Sequence, residues 1–484
     1  MAHTINKYQY RFLARIVIEA QTPLAVGSGE KDIITDSLVA RDVNGLPYIP
    51  GTAIAGILRH AIGEENAKTF FGYSGKKKNS GRGSEIIFSS AQIVDEDGTI
   101  VEGLIDSKST YLQNFDELPV RQHTRINEKG TADAENHGKF DEQVVFKGSR
   151  FCFEMELLSN EKDESNFTRV LSELAKDTIR IGSGTRKGFG KIEIVECRRL
   201  NFCLEQNIQQ DSNDSQNYLG LDKYIEKTSS LNDSIWKNAD CVLISKNEIE
   251  KIILSLTLKD FLLIGSGQGS EDTDADSAPV NENVIFWNKD MTYKEIKKFY
   301  LIPATSLKGA LAHRVAFYYN KGHNVFLENL DVNSIPDLYK KGYKIPTSFN
   351  SNNFDHLAKL VTLGNPAVLE LFGYANTDKK VENVRGNVLV SDVFIPASQT
   401  GLEIQPHVVI DSFTGGAAKG KLFQEQLLKI DVPVKIEILV ISKSYSPQVR
   451  EALDSAIDDL KSGALALGAA TNRGHGTFVQ TSKK

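Results

Sequence analysis

Cysteine is scarce in this sequence. The four residues present, Cys152, Cys197, Cys203 and Cys241, form no Cys-x-x-Cys pair. That sparseness argues against a disulfide framework and a structural zinc site, and it suits a reducing compartment. Long apolar runs are missing too. The first, Phe12 to Ala20, is broken by Arg15 and Glu19, and none approaches the roughly 18 uncharged apolar residues of a membrane span. Membrane insertion and secretion are therefore not expected, and a cytoplasmic location is. Nor is positive charge in excess. Lys and Arg total 57 against 63 Asp and Glu, a net charge of -6, so any surface for a polyanion must be local. What remains is ordinary globular composition, 40% hydrophobic and 25% charged. At roughly 100 to 200 residues per domain, 484 residues predict more than one domain.

The chain repeats itself, and the repeat sets its organisation. Gly27-Ser28-Gly29 returns as Gly265-Ser266-Gly267, and both precede an Ile-Pro step, at Ile49-Pro50 and Ile302-Pro303. The segment from Thr52 to His60 aligns with that from Thr305 to His313, and Phe71-Gly72-Tyr73 aligns with Phe372-Gly373-Tyr374. The stretch from His123 through Lys139-Phe140 to Glu142-Gln143 resembles that from His407 through Lys421-Leu422-Phe423 to Glu425-Gln426. Finally, the glycine-rich run Gly182 to Gly190 matches Gly468 to Gly476. These landmarks keep their order in both copies.

Each copy opens with alternating residues, Tyr10, Phe12, Ala14, Ile16 and Ile18 in the first and Ile252, Leu254, Leu256 and Leu258 in the second. That period predicts a half-buried strand. Thr52 and Thr305 read as helix N-caps, and Ile54, Ile57, Leu58, Ala61 and Ile62 form one apolar helix face. A second strand and helix follow in each copy, then the glycine-rich loop and a last strand. That order predicts an α+β fold, two tandem ferredoxin-like (RRM-like) modules over 1–200 and 250–484. The Asn-, Gln- and Ser-rich stretch 201–249 reads as a linker, and long insertions are expected around 76–140 and 320–425.

Several residue groups carry chemistry. In Gly182 to Gly190 the glycines free backbone N–H groups while Arg186 and Lys187 add charge, a combination suited to phosphate. A single such loop is more often a plain turn, but Arg473 retains the basic residue in the second copy. The helix starts at Thr52 and Thr305 present a positive dipole end, with Arg59, His60, Lys308, His313 and Arg314 on the same helices. Lys76, Lys77, Lys78 and Arg82, then Arg121, His123 and Arg125, then Lys139, then Lys419 and Lys421 are further cations able to follow RNA phosphates. Taken alone, each group reads equally as solvated surface. Asp36 lies between the Gly-Ser-Gly turn and Pro50, and Asp274 and Asp276 lie in an acidic run with Glu271 and Asp272. A carboxylate beside phosphate-binding groups can hold a divalent cation or take a proton from a ribose 2′-hydroxyl. The blander reading is a turn-stabilising aspartate.

The string from Asp36 to Gly51, the helix at Thr52 and the loop Gly182 to Gly190 resemble the RAMP superfamily of CRISPR-associated proteins. Within it they resemble the backbone subunits of type III effector complexes. His407 to Ala418 through Phe423 is similar to the family's thumb-like hairpin, and a tandem fusion resembles subunits of type III-D variants. The resemblance implies an RRM-like palm holding CRISPR RNA, and a thumb interrupting the guide–target duplex. It also implies a loop aspartate that cleaves complementary target RNA with a divalent metal, Mg²⁺ being the expected ion. Asp36 matches that position. In the second copy Asp276, followed by Ser277 as Asp36 is by Ser37, is the chosen counterpart and Asp274 the other candidate; Asp36 and Asp276 are thus the candidate metal ligands.

Implied partners are CRISPR RNA, complementary target RNA, further RAMP backbone subunits and the large polymerase/cyclase-like subunit of a type III effector, with no membrane. Two other readings stand beside this one. The chain is then an architectural RNA-binding subunit without catalysis, or a metal-independent guide-precursor nuclease using His60, His123 or His475.

Overall fold

A computed structural model describes residues 8–32, 35–75, 81–127, 132, 138–162, 164–203, 226–238, 249–270, 273–326, 339, 354–374, 384–441 and 445–481. Lys76, Lys77, Lys78, Glu271, Asp272 and Cys241 lie outside them.

In the first module the strands Tyr10–Ala20, Ile86–Phe88, Arg150–Ser159 and Ile192–Cys203 and the helices Gly51–Ala61 and Ser165–Leu174 follow one another as strand, helix, two strands, helix, strand. Number those four strands one to four along the chain. They pair antiparallel in the order four, one, three, two. The second module repeats this with Glu250–Leu258, Ala304–Gly322, Val388–Val390, Val434–Val440, Pro447–Ser462 and Phe478–Gln480, again in the order four, one, three, two. Both are ferredoxin-like sandwiches, as the periodicities predict. The helices cover one sheet face. Phe12, Phe151, Phe153 and Phe167 are fully buried in the first core, and Leu307, Leu311, Leu453 and Phe478 in the second. Each such side chain contributes roughly 1.5–3 kcal/mol.

Two expectations need correction. The opening strand of the first module is not half-buried, because Phe12 through Ile18 are all buried, alternate residues included, whereas that of the second alternates as expected. The second face of the first is covered by part of the stretch read as a linker: Leu231 and Trp236 pack there, and Lys237–Asn238 adds an edge strand to Ile192–Cys203. Arg15, 2% exposed, is satisfied by Glu154 at 2.9 Å and the Thr228 carbonyl at 3.0 Å, with the Trp236 ring 4.5 Å away. The second correction concerns the caps. Pro50 and Pro303 occupy the N-cap positions and have no side chain able to cap their helices. Thr52 and Thr305 fall inside the first turn.

Each module also carries a long β-hairpin. In the first, Val120–Thr124 pairs with Lys139–Gln143; in the second, Thr400–Ile410 pairs with Ala417–Ile430. The segment after Gly267, longer than its counterpart in the first copy, forms Asn281–Trp287 and Tyr293–Ile302, which pair with each other and, through the latter, with Val393–Pro396. This small sheet leans on the first module. Ile285 joins the first core, the Trp287 indole donates to the Gly148 carbonyl at 2.7 Å, and Arg150 lies 4.4 Å over the Trp287 ring.

Candidate functional site

The two Asp-Ser steps occupy the same place in their modules. Both follow a Gly-Ser-Gly turn closed in the same way, by Ser28 N–H to the Leu38 carbonyl at 2.9 Å and Ser266 N–H to the Ala278 carbonyl at 2.8 Å. In the first, Asp36 Oδ2 accepts from the Asp141 N–H at 3.0 Å, while the Ser37 carbonyl accepts from Gln143 N–H at 3.0 Å. In the second, Asp276 Oδ2 accepts from Gln424 N–H at 2.8 Å, and the Ser277 carbonyl accepts from Gln426 N–H at 2.9 Å. Each loop thus adds a short parallel bridge to its hairpin root, Ser37 beside Glu142 and Ser277 beside Glu425. Both aspartates are exposed, and each Oδ1 takes no hydrogen bond among the described residues. Asp274 is exposed and makes no such contact with the hairpin. The geometry therefore pairs Asp276, not Asp274, with Asp36.

Behind each aspartate the hairpin root carries a glutamate that sequence reasoning passed over. Glu142, 6% exposed at its side chain, is met by Lys187 at 2.9 Å, Ser183 Oγ at 3.2 Å and His123 at 3.5 Å. Burial alone would raise its carboxyl, but hydrogen bonds from His123 and Lys187 and their charge bring it down to about 2. Glu425 is met by Arg473 at 2.8 Å and His407 at 3.0 Å. In both modules the histidine stacks on its cross-strand phenylalanine, His123 on Phe140 at 4.8 Å and His407 on Phe423 at 5.0 Å. The signal was present as Glu142-Gln143 and Glu425-Gln426, used only to align the copies.

Several predicted RNA contacts prove to be internal. Arg121 is 5% exposed and lies between Glu282 and Asp392 of the second module, with Nη1 2.7 Å from Asp392 and the Glu282 carboxylate paired to its other edge. Burial would lower its guanidinium, but Asp392 and Glu282 raise it overall. It is a junction residue, not a phosphate ligand. Lys187 and Arg473 are held by Glu142 and Glu425. Arg314 binds Asp459 at 3.2 Å and the Ala464 carbonyl at 2.8 Å, joining two helices. His123 and His475 are 8% and 5% exposed, which removes them as acid–base groups facing a substrate. Arg125 is half-buried, and His313 is exposed.

Others converge. The glycine-rich loop of the first module abuts the second, where a Cβ on Gly188 would collide with Ala304. There Arg186 Nε donates to the Gly386 carbonyl at 2.9 Å, and its Nη1 is buried without a partner among the described residues. Burial, then the neighbouring charges of Arg385 and Arg180, lower Arg186 to about 10; burial and Arg186 lower Lys308 to about 8. Arg385 meets the exposed His60 at 2.7 Å. Cations pressed together with no carboxylate between them suit an anion. Arg59 donates to the Gly72 carbonyl at 2.9 Å and lines an open groove with Phe71, Tyr73 and Arg82. Thr52, Lys139, Lys419 and Lys421 are exposed. On the second hairpin Val408, Val409 and Ile410 are exposed, and Phe413 is 97% so.

Among the described residues no three His, Cys, Asp or Glu side chains could together hold a metal ion. One exposed carboxylate per module is nevertheless a donor set that Mg²⁺ accepts, since it is commonly held by one or two carboxylates with substrate phosphates completing its shell. No helix among the described residues is long and apolar enough to cross a membrane.

Sequence comparison agrees with the duplication. The RAMP superfamily profile matches the chain twice, over residues 17–193 and 255–479, and the chain belongs to that superfamily. No curated protein matches it. Among solved structures it is similar to a chain in the cryo-EM structure of the type III-B Cmr-beta bound to cognate target RNA, at 18% identity and a TM-score of 0.28. That match covers 40% of this chain and 61% of the other, so this chain spans less than two thirds of the relative's length.

Proposed function

We propose that this tandem RAMP protein is an RNA-binding backbone subunit of a type III CRISPR effector, a cytoplasmic ribonucleoprotein, and that each module cleaves complementary target RNA. The observation supporting catalysis is the recurrence of one exposed aspartate whose Oδ2 accepts from the hairpin root, next to a serine whose carbonyl does the same, in both modules. A turn-stabilising aspartate has no need to reach the hairpin root in both modules in this way.

Guide RNA recognition rests on shape and phosphates, with base pairing selecting the target. Arg186, Lys308 and Arg385 at the junction, Arg59 and Arg82 in the groove, and Lys139, Lys419 and Lys421 on the hairpins supply the local positive charge that the whole chain lacks. The apolar tip around Phe413 is suited to lie against bases rather than in water.

For cleavage, the tied Oδ2 orients the carboxylate and leaves Oδ1, without a hydrogen bond among the described residues, to act. In the proposed step Oδ1 takes the proton of a ribose 2′-hydroxyl. The O2′–P bond forms, the P–O5′ bond breaks, and the departing O5′ gains a proton from water, leaving a 2′,3′-cyclic phosphate and a 5′-hydroxyl. A divalent cation held by Asp36 or Asp276 would neutralise phosphate charge there. The test is digestion of an end-labelled complementary RNA by the guide-loaded complex, with Mg²⁺ or EDTA. Asp36→Ala and Asp276→Ala should each delete one metal-dependent product while RNA binding persists. Survival of every product in both variants would make the chain a scaffold.

A further inference from the structure

We infer that Glu142 and Glu425 are positioning residues for the two aspartates, each clamping its hairpin root to the glycine-rich loop, so that Lys187 and Arg473 act within the chain and not on RNA. The inference rests on the proposed role of Asp36 and Asp276.

The connection runs through neighbouring atoms. The amide that holds Asp36 belongs to Asp141, one residue before Glu142; the amide that holds Asp276 belongs to Gln424, one residue before Glu425. At the next position the glutamate side chain reaches the glycine-rich loop, through Lys187 and Ser183 in one module and through Arg473 in the other. From within the hairpin the stacked histidine completes the cluster. Both carboxylates are largely shielded, at 6% and 12% exposure, so their charge-assisted bonds hold more firmly than a surface pair. Divergence at the cation, Lys in one copy and Arg in the other, with the glutamate and histidine unchanged, fits a requirement for a charge on the loop. Glycine supplies the loop's path. Gly182 and Gly468 sit at φ +90°, each against the backbone shortly beyond the opening strand, at Ala25 and Leu263. The clamp and the aspartate thus share one rigid corner, and misplacement of about 1 Å there can cost about a hundredfold in rate.

Two chemically similar corners in one chain control for each other. In the guide-loaded complex, Lys187→Met should lower the product assigned to Asp36 by at least about tenfold and leave that of Asp276 at the wild-type rate; Arg473→Met should do the reverse. Lys187→Arg should restore the first. The salt dependence of RNA binding should be the same for wild type, Lys187→Met and Arg473→Met, whereas loss of a phosphate contact would reduce the slope by about one. Hydrogen exchange should rise over residues 138–143 in Lys187→Met and over 422–426 in Arg473→Met. A reduced salt slope, an equal fall in both products, or unchanged products and exchange would each overturn the inference. If Asp36→Ala and Asp276→Ala themselves spare both products, the catalytic reading falls alone, and the exchange measurement still decides the clamp.

Discussion

Replacing Arg121 by methionine tests the junction between the modules. The side chain lies against Glu282 and Asp392, whose own side chains are 3% and 0% exposed, and Asp392 also accepts from the Ala304 N–H at 2.7 Å. Methionine fills similar volume but leaves two carboxylates buried without their cation. Breaking a buried pair from one side costs about 3–5 kcal/mol, and each kcal/mol moves a unit of this size by roughly 2–4 °C. The assay is urea and thermal unfolding of the full chain, with Arg121→Met/Glu282→Gln/Asp392→Asn alongside. The single variant should lose stability in that range, and the triple variant should recover most of it, because no unpaired charge remains. A loss below about 1 kcal/mol, the range of exposed pairs, would refute the reasoning, as would a triple variant no better than the single one.

Two further expectations concern charge and backbone. Lys308 is about half-charged near pH 8 in the free protein. Its neutralisation removes an attraction for phosphate, so RNA binding should weaken as pH rises through 8, and Lys308→Gln should flatten that part of the profile measured by fluorescence anisotropy. Gly190 and Gly476 have φ of +82° and +74°, and a Cβ on either would collide with the carbonyl of Ile181 or Leu467. Alanine at either position should destabilise by at least about 1–3 kcal/mol. Gly56, inside a helix with open space around it, should instead gain roughly 0.5–1 kcal/mol on change to alanine, and denaturant titration compares the three.

What the sequence revealed follows the repeat. Landmarks compared between copies located both sheets, both helix pairs and the hairpin roots, and the shared Asp-Ser step selected Asp276 over Asp274. Single-copy readings fared worse. Arg121 looked like a loop cation because its carboxylates lie 161 and 271 residues away, a pairing that spacing cannot reveal. The partners of Lys187 and Arg473, Glu142 and Glu425, lie 45 and 48 residues away and were hidden for the same reason. Alternation in the first opening strand indicated one wet face, but that side is covered by Leu231 and Trp236 from a segment whose composition suggested only a tether. The proline before each helix, visible throughout, displaced the threonine from the cap.

Among the described residues the junction lock is not repeated at the equivalent positions of the other module. Where Arg121 faces Glu142 across the first hairpin, Gln405 faces Glu425 across the second. Where Asp392 accepts from the first amide of its helix, Ser90 Oγ does so from Gly51 at 3.4 Å. Among the described residues these equivalent positions thus offer neither the cation nor the anion needed to repeat the contact with a second copy. A head-to-tail contact that does not close would ordinarily propagate into a fibre. Confined between the two described modules, the charged half of this contact is used once and does not repeat.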